Sequence, residues 1–370
     1  MIIGIDVSHA NKIKRTGVEE YCFQIVEELK KIIPSDTKVI LYSSSPLVAQ
    51  LSQLPKNWEL KILGWPFKKL WSQLRLAYEL FRHPPDIYFS PGQLMPFISP
   101  KNTVVMVHDS AFEAYPFAYR FLGRQYLKWM NRLIIKKAKL ILTSTQFNKQ
   151  EMLKFYGHYF TDQIDLDDKI KVVPLAYDQS KFVLQPQDED NFYGRYILSI
   201  GRLEEKKNTK RIVSAFSILK KNDNNLKLIL VGTPGAGYEE VEKIIVSSPY
   251  KNDIILLGFV SPVSLVSILK NAQVFVFPSL YEGFGIPILE AMAMGVPVVA
   301  SNNSAFNEVG GDALAYVDAL DVCDMADKIL LLLSDNNIRQ EKIKKGLEMV
   351  KKYSWRNTAQ LTWDIIKNIN

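Results

Sequence analysis

The sequence predicts an α/β protein made of two doubly wound parallel-sheet domains. The chain has 370 residues, more than the roughly 250–300 residues at which a single core stops growing. Short apolar runs rich in Val, Ile and Phe alternate with amphipathic helical patterns in both halves, which is typical of parallel sheets with helical crossovers. Residues 274–301, VFVFPSLYEGFGIPILEAMAMGVPVVAS, contain a complete strand, loop, helix and strand, the unit from which such sheets are built.

Composition narrows the class of protein. An apolar fraction of 47% supports packed cores, and no uninterrupted apolar stretch reaches the roughly 18 residues of a membrane span. The chain enters its first strand directly, without a basic or long apolar leader, so we expect a cytosolic protein without a signal peptide. The two cysteines are far apart and indicate neither a disulfide framework nor a cysteine zinc site. The net charge of +7 favours an anionic partner such as a phosphate ligand, a membrane surface or nucleic acid.

The first half begins with an apolar strand at 1–7 and a basic loop that ends at Gly17. A glycine between a first strand and a first helix allows backbone N–H groups to approach an anion, although a plain loop glycine fits the same pattern. An amphipathic helix at 18–31 follows. Further strands are predicted at 38–42, 58–63, 86–89, 103–107, 139–143 and 170–174, and helices at 70–81, 119–137 and 145–156.

The strand at 103–107, TVVMV, delivers His108 and Asp109 at its carboxyl end, where ligands of open α/β sheets bind. Asp109 is suited either to orient the imidazole or to cap the following turn. The alternative is a structural histidine at a capped strand end. The other three histidines fall in loops or at helix ends, so His108 is the histidine that we assign to the site.

The helix predicted at 119–137 has a cation at every fourth position, which stacks positive charge along one side. The cations are Arg120, Arg124, Lys128, Arg132 and Lys136, and the apolar face is expected to comprise Leu122, Tyr126, Trp129 and Leu133. Like charges at this spacing destabilise a helix by about 0.2–0.5 kcal/mol per pair. We therefore predict that the stripe docks on anionic lipid head groups or receives an anionic acceptor, with a solvated helix face as the alternative. Residues 65–71, WPFKKLW, are suited either to an interface or to core plus surface.

A polar, acidic segment at 178–191 predicts the linker between domains 1–180 and 181–353, with a C-terminal helix at 354–370.

In the second half, a strand at 195–200 runs into the loop GRLEEKKN, which contains Arg202 and Lys207. A cation held about 4 Å from a diphosphate contributes roughly 4 kcal/mol at an effective dielectric of 20, whereas a basic loop taken alone is usually solvated. Residues 232–237, GTPGAG, lack the glycine spacing G-x-G-x-x-G of dinucleotide-binding loops. They are interpreted as a loop that lies near a bound nucleotide. Other strands are predicted at 226–231 and 254–257, and helices at 209–220, 324–334 and 338–352.

The loop after the strand at 274–277 contains Gly283, Phe284 and Gly285. Their backbone N–H groups precede the helix predicted at 286–294, and a helix N-terminus suits phosphate. Glu282 and Glu290 bracket this loop. A buried carboxylate needs donors, which the ribose and hexose hydroxyls of a nucleotide sugar would provide. The alternative is that Glu290 pairs within the protein and that Glu282 is a solvated turn residue.

Glu282 and Glu290, set within FPSLYEGFGIPILEAMAMGVPVVAS, closely resemble the signature of family 4 glycosyltransferases, retaining enzymes of the GT-B fold that use nucleotide-diphosphate sugars. The resemblance covers nearly the whole chain, including VHDSAFEAYPF, the GR…K…N segment and YSWRNTAQLTWDIIKNI. It implies two Rossmann-like domains that face each other across a cleft and a C-terminal helix that returns to the first domain. The sequence of these segments is most similar to that of bacterial mannosyltransferases that build O-antigen and other surface polysaccharides. GDP-mannose is therefore the implied donor, with a UDP-sugar as the alternative.

The resemblance also implies a role for each matching residue. The diphosphate-binding group comprises Gly17, Arg202, Lys207, Gly283, Phe284 and Gly285. The implied catalytic residues are His108, which lies near C6 of the donor sugar, and Glu282, which holds hexose hydroxyls. Glu290 is implied to bind the ribose, and Phe259 and Val260 to contact the base. The implied acceptor is a glycan or a polyprenyl-diphosphate-linked saccharide at the inner face of the plasma membrane.

The predicted reaction needs no cofactor and no metal, because fixed cations neutralise the departing diphosphate. Two D-x-D matches, 165–167 and 188–190, do not follow an apolar strand and are interpreted as solvated charge. Two other classes are considered: a GT-B sugar-nucleotide epimerase, and a non-catalytic protein that binds nucleotide sugars or lipid phosphates. Nucleic-acid binding is disfavoured because the sequence lacks a DNA- or RNA-binding motif. The sequence predicts no particular oligomeric state.

Overall fold

The computed structural model describes residues 1–67, 70–159, 163–183, 193–302 and 305–369, with the side chains of 163–165 excepted. The chain divides into two compact units. The first comprises Met1–Glu113, Phe121–Leu175 and Trp355–Asn370, and the second comprises Ala114–Arg120 and Ala176–Ser354. Some predictions fall outside the described residues: Lys68 and Lys69 of the stretch 65–71, the Asp165 side chain, and most of the linker, including the D-x-D match at 188–190.

The described residues of the first unit form a seven-stranded parallel sheet with strand order β3-β2-β1-β4-β5-β6-β7. The strands are β1 (Ile2–Asp6), β2 (Lys38–Ser43), β3 (Trp58–Ile62), β4 (Ile87–Ser90), β5 (Thr103–Val107), β6 (Leu140–Thr143) and β7 (Ile170–Val172). Every residue of β4 and β5 is buried, as expected for central strands covered on both faces. The strand order reverses between β1 and β4, so the loops after these two strands lie at the switch point where such sheets bind ligands.

The helices of this part of the chain cover the two faces of the sheet. They are α1 (Gly17–Ile32), α2 (Ala77–Arg82), α3 (Ala111–Ala114), α4 (Phe121–Lys137), α5 (Gln146–Tyr156) and α6 (Gln163–Lys169). A π-helical turn, Trp71–Leu76, leads directly into α2. The sequence predicts one helix over 70–81 and another over 119–137. Instead, the first is a π-turn followed by a short α-helix, and residues 111–118 form short helical turns before α4 begins at Phe121.

The second unit contains a six-stranded parallel sheet with order β10-β9-β8-β11-β12-β13. Its strands are β8 (Tyr196–Ile200), β9 (Lys227–Val231), β10 (Ile254–Gly258), β11 (Val274–Phe277), β12 (Val298–Ser301) and β13 (Leu314–Val317). Its helices are α7 (Thr209–Lys220), α8 (Tyr238–Ser247), α9 (Pro262–Lys270), α10 (Ile286–Ala293), α11 (Phe306–Gly310), α12 (Val322–Ser334) and α13 (Asn336–Val350). All four residues of β11 are buried, and each such side chain contributes about 1.5–3 kcal/mol on burial. The strand order reverses between β8 and β11, which places the loops after these strands side by side.

The C-terminal helix, Trp355–Lys367, belongs to the first unit, as the fold class predicts. Its buried face includes Trp355, Ala359 and Ile366, and it packs against α1. The Thr358 hydroxyl donates a hydrogen bond to the Pro174 carbonyl at 2.7 Å. The first unit is therefore completed by residues from the end of the chain.

Candidate functional site

Two loops meet at the switch point of the second sheet. Residues 201–208 follow β8, and residues 278–285 follow β11, and these strands are neighbours in the sheet. The Leu280 N–H donates a hydrogen bond to the Lys206 carbonyl at 2.9 Å, which ties the two loops together. The sequence predicts functional residues on both loops, and the structure brings two of them, Lys207 and Glu282, into contact.

Lys207 and Glu282 form a partly buried ion pair across these loops. The Lys207 ammonium lies 2.5 Å from Glu282 Oε1, and the two side chains are only 20% and 13% exposed. The same ammonium lies 4.8 Å from the centre of the Phe277 ring. Burial alone would raise the pKa of Glu282, but the charges of Lys207 and Lys206 and the hydrogen bond from Lys207 outweigh it and lower the pKa. Glu282 is therefore a carboxylate at neutral pH, and it is not the solvated turn residue of the alternative interpretation.

The loop 201–208 depends on an unusually close approach to the loop after β9. Gly232 has a φ of +145°, and a Cβ on it would lie 1.9 Å from the Gly201 carbonyl oxygen, so a larger residue cannot occupy this position. The Leu203 N–H donates to the Thr233 carbonyl at 3.0 Å, and the Gly235 N–H donates to the Leu203 carbonyl at 3.1 Å. The glycine-rich segment 232–237 thus supports the basic loop.

Asn208 ends this loop and anchors it to two other segments. Its side-chain amide donates to the Pro278 carbonyl at 3.1 Å and to the Ala319 carbonyl at 2.6 Å. Asn208 is 2% exposed and has a left-handed φ of +62°, which asparagine tolerates better than most residues. The sequence gives Asn208 no role beyond its place in the GR…K…N segment. The structure identifies it as the residue that positions the neighbouring Lys207.

The glycine loop before α10 has the geometry that the sequence predicts for a helix N-terminus. Gly285 is the N-cap, with a φ of +96°. Phe284 is buried and packs edge-on against Tyr353 at 5.8 Å between ring centres. Residues 283–285 lead into the first turn of α10, and this end of a helix favours a phosphate. The contact of these residues with a diphosphate stays a prediction.

Gly285→Ala should destabilise the second unit by about 1–3 kcal/mol, because an added Cβ would lie 2.7 Å from Phe306 Cε1 at a positive φ. Chemical denaturation measures the change in free energy of unfolding. Gly17→Ala is the matched control, since Gly17 opens α1 and its added Cβ would meet nothing within 4 Å. Equal stability of the two variants would contradict the strained geometry at Gly285.

The other predicted residues of this unit lie around the same sheet edge. Arg202 is exposed on the loop after β8, and Glu290 is partly exposed on α10. Phe259 and Val260 follow β10, and the Phe259 ring is 60% exposed. The Gly258 carbonyl accepts from the Gly232 N–H at 2.8 Å, so this segment adjoins the glycine-rich loop. The roles assigned to these four residues remain predictions.

His108 follows β5 in the first unit and is held from several directions. Its ring Nε2 lies 2.9 Å from the Pro91 carbonyl oxygen. Its backbone N–H donates to Gln93 Oε1 at 3.0 Å, and its carbonyl accepts from the Asn148 amide at 2.8 Å. The Tyr21 ring meets the imidazole edge-on at 5.0 Å. A carbonyl can only accept, so Nε2 carries the proton and Nδ1 of the neutral ring is an acceptor.

Burial lowers the pKa of His108 to about 4, despite the opposing effect of the Pro91 carbonyl. The unfolded chain, with an ordinary pKa of 6.5, then binds more protons than the folded protein between pH 6.5 and about 4. We expect the stability of the protein to fall as pH falls through this window. His108→Gln, which does not titrate, should flatten the dependence of unfolding free energy on pH. An unchanged pH profile in the variant would contradict the lowered pKa.

Gly17 lies at the start of α1, is exposed and does not adopt a positive φ. At this helix N-terminus the Thr16 N–H already donates to the Glu19 carboxylate at 2.8 Å. An anion at Gly17 would therefore meet only the remaining amides of the first turn. The predicted contact of Gly17 with a diphosphate stays a prediction.

The cations predicted as a stripe on α4 mostly contact other side chains. Lys128 lies 3.0 Å from the Glu113 carboxylate, and Arg124 lies 4.0 Å from it. Arg132 and Lys136 lie 5.5 and 5.2 Å from the centre of the Tyr159 ring. The fifth cation, Arg120, is exposed and belongs to the second unit.

Of the predicted apolar face of α4, Leu133 packs against the core, whereas the other three residues are exposed. Leu122 is 80% exposed, and Tyr126 and Trp129 are 38% and 43% exposed. The helix instead packs into the core through Met130, Ile134 and Ile135. The sequence pattern identified residues that share a side of the helix, but the core lies on another side.

Two features are absent from the described residues. In the ranges that the structure covers, no helix is both long and apolar enough to cross a membrane. Over the same ranges, no group of at least three His, Cys, Asp or Glu side chains is placed to hold a metal ion.

Comparison with known proteins identifies the family. The sequence profile of the glycosyl transferases group 1 matches residues 183–349, which include both loops described above. O-antigen chain mannosyltransferase B of Escherichia coli is 30% identical over 328 residues, covering 87% of this chain and 82% of that protein. The chain belongs to the group 1 glycosyltransferases. The glycosyltransferase family predicted from the sequence is thereby confirmed.

This glycosyltransferase also resembles further relatives along most of its length. O-antigen chain mannosyltransferase RfbU of Salmonella typhimurium is 24% identical over 314 residues, covering 82% of this chain and 83% of that protein. Among solved structures, Anabaena Alr3699/HepE in complex with UDP-glucose gives a TM-score of 0.77 at 16% identity, with 100% of both chains covered. WaaG, a glycosyltransferase involved in lipopolysaccharide biosynthesis, gives a TM-score of 0.71 at 16% identity, again with 100% of both chains covered. These likenesses confirm the predicted GT-B fold.

Proposed function

We propose that this glycosyltransferase moves mannose from GDP-mannose to a saccharide acceptor of a surface polysaccharide, with retention at the anomeric carbon and without a divalent metal. The observation that supports this proposal most directly is the Lys207 ammonium fixed beside Glu282 at the switch point of the second sheet. The relatives named as O-antigen chain mannosyltransferases favour mannose as the sugar and a saccharide chain as the acceptor.

In the proposed reaction, the bond between the anomeric carbon and the diphosphate oxygen breaks, and negative charge grows on the departing diphosphate. Cations and N–H donors that are already in place stabilise this charge without reorganisation. Lys207, the exposed Arg202 and the amides of residues 283–285 provide this environment. The departing diphosphate oxygen takes the acceptor proton, so the proposal requires no side-chain general base.

Glu282 has the position and charge needed to hold the sugar. One of its oxygens contacts Lys207, and a carboxylate can accept several hydrogen bonds at once, which would include those from hexose hydroxyls. Its lowered pKa keeps it an acceptor at neutral pH. Glu290, one turn into α10, is proposed to accept from the ribose hydroxyls, and Phe259 to contact the base.

His108 is proposed to act as a neutral acceptor. The Nε2–H of His108 donates a hydrogen bond to the Pro91 carbonyl. Because its pKa is near 4, the imidazole is uncharged at neutral pH. Its Nδ1 can therefore accept a hydrogen bond from a sugar hydroxyl near C6, but it has no proton to donate as a general acid. His108→Ala is expected to reduce transfer while GDP binding is retained.

A thermal-shift panel tests the donor. GDP and GDP-mannose should raise the melting temperature more than UDP, ADP or their sugars, and EDTA should not change the shift. Glu290→Ala should weaken binding of both GDP and GDP-mannose. Preference for UDP and UDP-glucose would favour the alternative donor, and stabilisation by none of the nucleotides would refute donor binding. The anomeric configuration of the product, read by NMR, tests retention.

A further inference from the structure

The Gln93 side chain holds the backbone of the turn that carries His108. Gln93 Oε1 accepts from the His108 N–H at 3.0 Å, and Gln93 Nε2 donates to the Asp109 carbonyl at 3.1 Å. A backbone N–H can only donate and a carbonyl can only accept. These two partners therefore fix which end of the Gln93 amide is oxygen and which is nitrogen.

Gln93 adopts a backbone conformation that glutamine rarely has. Its φ is +57°, in the left-handed region, where the Cβ of an L-residue lies too close to the following carbonyl oxygen. Such a conformation persists only where the surrounding contacts fix it, and it is frequent at functional sites. Gln93 follows β4, and His108 follows the neighbouring strand β5. The left-handed conformation therefore accompanies a contact between the loops that follow two adjacent strands.

A chain of hydrogen bonds runs from Gln93 through the interior of the first unit. Gln93 Nε2 also donates to Asn131 Oδ1 at 3.2 Å, and the Asn131 amide donates to the Tyr156 hydroxyl at 3.4 Å. The Tyr156 hydroxyl donates to Glu113 Oε1 at 3.1 Å. Asn131 and Tyr156 are each 1% exposed. In such a poorly solvated environment, hydrogen bonds in a chain polarise and strengthen one another.

The three hydrogen bonds of this chain are all donated in the same direction, from Gln93 towards Glu113. Because the Gln93 nitrogen faces Asn131, the Asn131 oxygen faces Gln93 and its nitrogen faces Tyr156. The carboxylate at the end can only accept, so Tyr156 donates to it. Burial and the charge of Glu113 raise the pKa of Tyr156, which keeps the hydroxyl protonated. The backbone at one end and the carboxylate at the other thus impose one arrangement on the side chains between them.

Two cations of the α4 stripe hold the carboxylate at the end of this chain. Lys128 and Arg124 lie 3.0 and 4.0 Å from Glu113 Oε2, whereas Tyr156 donates to Oε1. The two carboxylate oxygens therefore have separate partners. Arg124 also donates to the Phe112 carbonyl at 2.9 Å. Two members of the stripe, which the sequence pattern predicts to meet an anionic partner, thus contribute to the interior of the first unit.

We propose that Gln93 is a positioning residue for His108. Asn131, Tyr156 and Glu113 hold the Gln93 amide in the orientation that this role requires. Gln93 acts through the backbone of His108, and a displacement of about 1 Å at a reacting centre can cost about 100-fold in rate. This role rests on the proposed function, in which His108 accepts a hydrogen bond from the donor sugar, but the position of His108 can be measured without any transfer reaction.

His108 has other contacts, which should keep the turn folded when the Gln93 amide is removed. Asn148 of α5 donates to the His108 carbonyl at 2.8 Å, and the ring Nε2 donates to the Pro91 carbonyl at 2.9 Å. Neither contact holds the His108 N–H, which bonds to Gln93. Loss of the amide should therefore loosen the turn and expose the ring without unfolding the unit.

Titration of the histidine rings by NMR tests the position of His108 in the full chain. The His108→Gln spectrum identifies the His108 signal among those of the four histidines. In the parent, burial holds the pKa of His108 at about 4. In Gln93→Leu the ring should become more exposed, so its pKa should rise towards the ordinary 6.5. Gln53→Leu, at an exposed glutamine of the same unit, is the matched control and should titrate like the parent.

Two further variants separate the amide from the size and fold of the side chain. Gln93→Glu keeps an acceptor for the His108 N–H, but a carboxylate cannot donate to Asp109 or Asn131, so this variant should resemble Gln93→Leu. Tyr156→Phe keeps the ring and removes the hydroxyl in the middle of the chain, and it should raise the pKa of His108 by a smaller amount. An unchanged His108 titration in Gln93→Leu, or a Gln93→Glu variant that titrates like the parent, would overturn the proposal.

Steady-state kinetics relate the position of His108 to transfer. Gln93→Leu should lower kcat about 10-fold to 100-fold, while GDP affinity stays that of the parent, because the proposed diphosphate-binding loops of residues 201–208 and 278–285 lie in the second unit. A raised pKa of His108 with unchanged kcat would support the positioning by Gln93 and refute the proposed role of His108 in transfer. If the parent did not use GDP-mannose, the proposed donor would be wrong, and the NMR titration would still decide whether Gln93 positions His108.

Discussion

Replacing Lys207 by methionine should lower kcat for sugar transfer by about 100-fold to 1,000-fold. In the parent, the ammonium is fixed 2.5 Å from Glu282 at the carboxyl ends of β8 and β11. Methionine has a similar length but no charge, so the departing diphosphate would lose one of its fixed cations. GDP affinity should fall as well, because GDP retains the diphosphate. Steady-state kinetics and calorimetric titration with GDP measure the two effects.

The same substitution should also destabilise the second unit. Removing one member of this partly buried ion pair leaves the other uncompensated, at a cost of up to about 3 kcal/mol. Burial would then act on Glu282 without its main counter-charge, and the pKa of Glu282 should rise above its present lowered position. Stability alone therefore cannot distinguish a lysine that binds diphosphate from one that only neutralises Glu282.

Adding Glu282→Gln to Lys207→Met separates the two roles. The double variant has no buried unpaired charge, so it should recover a large part of the lost stability, while GDP affinity should remain low. GDP binding as tight as that of the parent would show that Lys207 serves only as the partner of Glu282. Lys206→Met is the matched control: it removes a neighbouring charge that also lowers the pKa of Glu282 without breaking the 2.5 Å pair, and its effects should be smaller.

The parallel sheets could be predicted from the sequence because central strands are unambiguous. The runs at 103–107 and 274–277 consist of apolar residues that are all buried in the structure, and α7 spans the predicted 209–220. The sequence pattern did not predict β13, α8 or α9. Their segments have shorter or more mixed apolar patterns, and they form through packing against neighbours that a local pattern does not reveal.

The side of a helix that packs into the core was harder to predict than the helix itself. An apolar spacing along α4 shows which side chains share a side, but not whether another element covers that side. Leu122 and Trp129 belong to the predicted apolar face and are exposed, whereas Asn131, a polar residue in the same helix, is buried. Asn131 is accommodated because its side chain accepts from the Gln93 amide at 3.2 Å, a partner 38 residues away in the chain. Such a partner is visible only in three dimensions.

The candidate site likewise contains residues that the sequence identifies and residues that only the structure identifies. Family resemblance located Lys207 and Glu282 separately, and the structure joined them as an ion pair. The family resemblance did not indicate Gln93, which has a positive φ of 57° and accepts from the His108 N–H. It also did not indicate Tyr21, which packs against the His108 ring. These residues position others without any chemistry of their own. Looking in the sequence for residue types that do catalysis therefore does not identify them.

Asn208→Ala should destabilise the second unit by about 3–5 kcal/mol and reduce transfer. Two buried carbonyls, of Pro278 and Ala319, would lose their donor, and each unsatisfied group costs about 1–3 kcal/mol. Alanine would also have to adopt a φ of +62°, at about 1 kcal/mol. Because Asn208 directly follows Lys207 and ties its loop to the strand ends, a shifted loop would no longer hold the ammonium beside Glu282. Urea unfolding and steady-state kinetics measure the two losses.

Asn208→Gly separates the hydrogen bonds from the backbone strain. Glycine accepts the positive φ but has no amide, so this variant should be about 1 kcal/mol more stable than Asn208→Ala while both remain far below the parent. Asn271→Ala is the matched control, because its amide donates only within its own helix end, to Ser267 at 3.0 Å, and its loss should cost less than about 1 kcal/mol. If Asn208→Ala lost no more stability than Asn271→Ala, the two long-range bonds would not be what holds the loop. If it lost stability but kept full transfer, Lys207 would keep its position without this anchor.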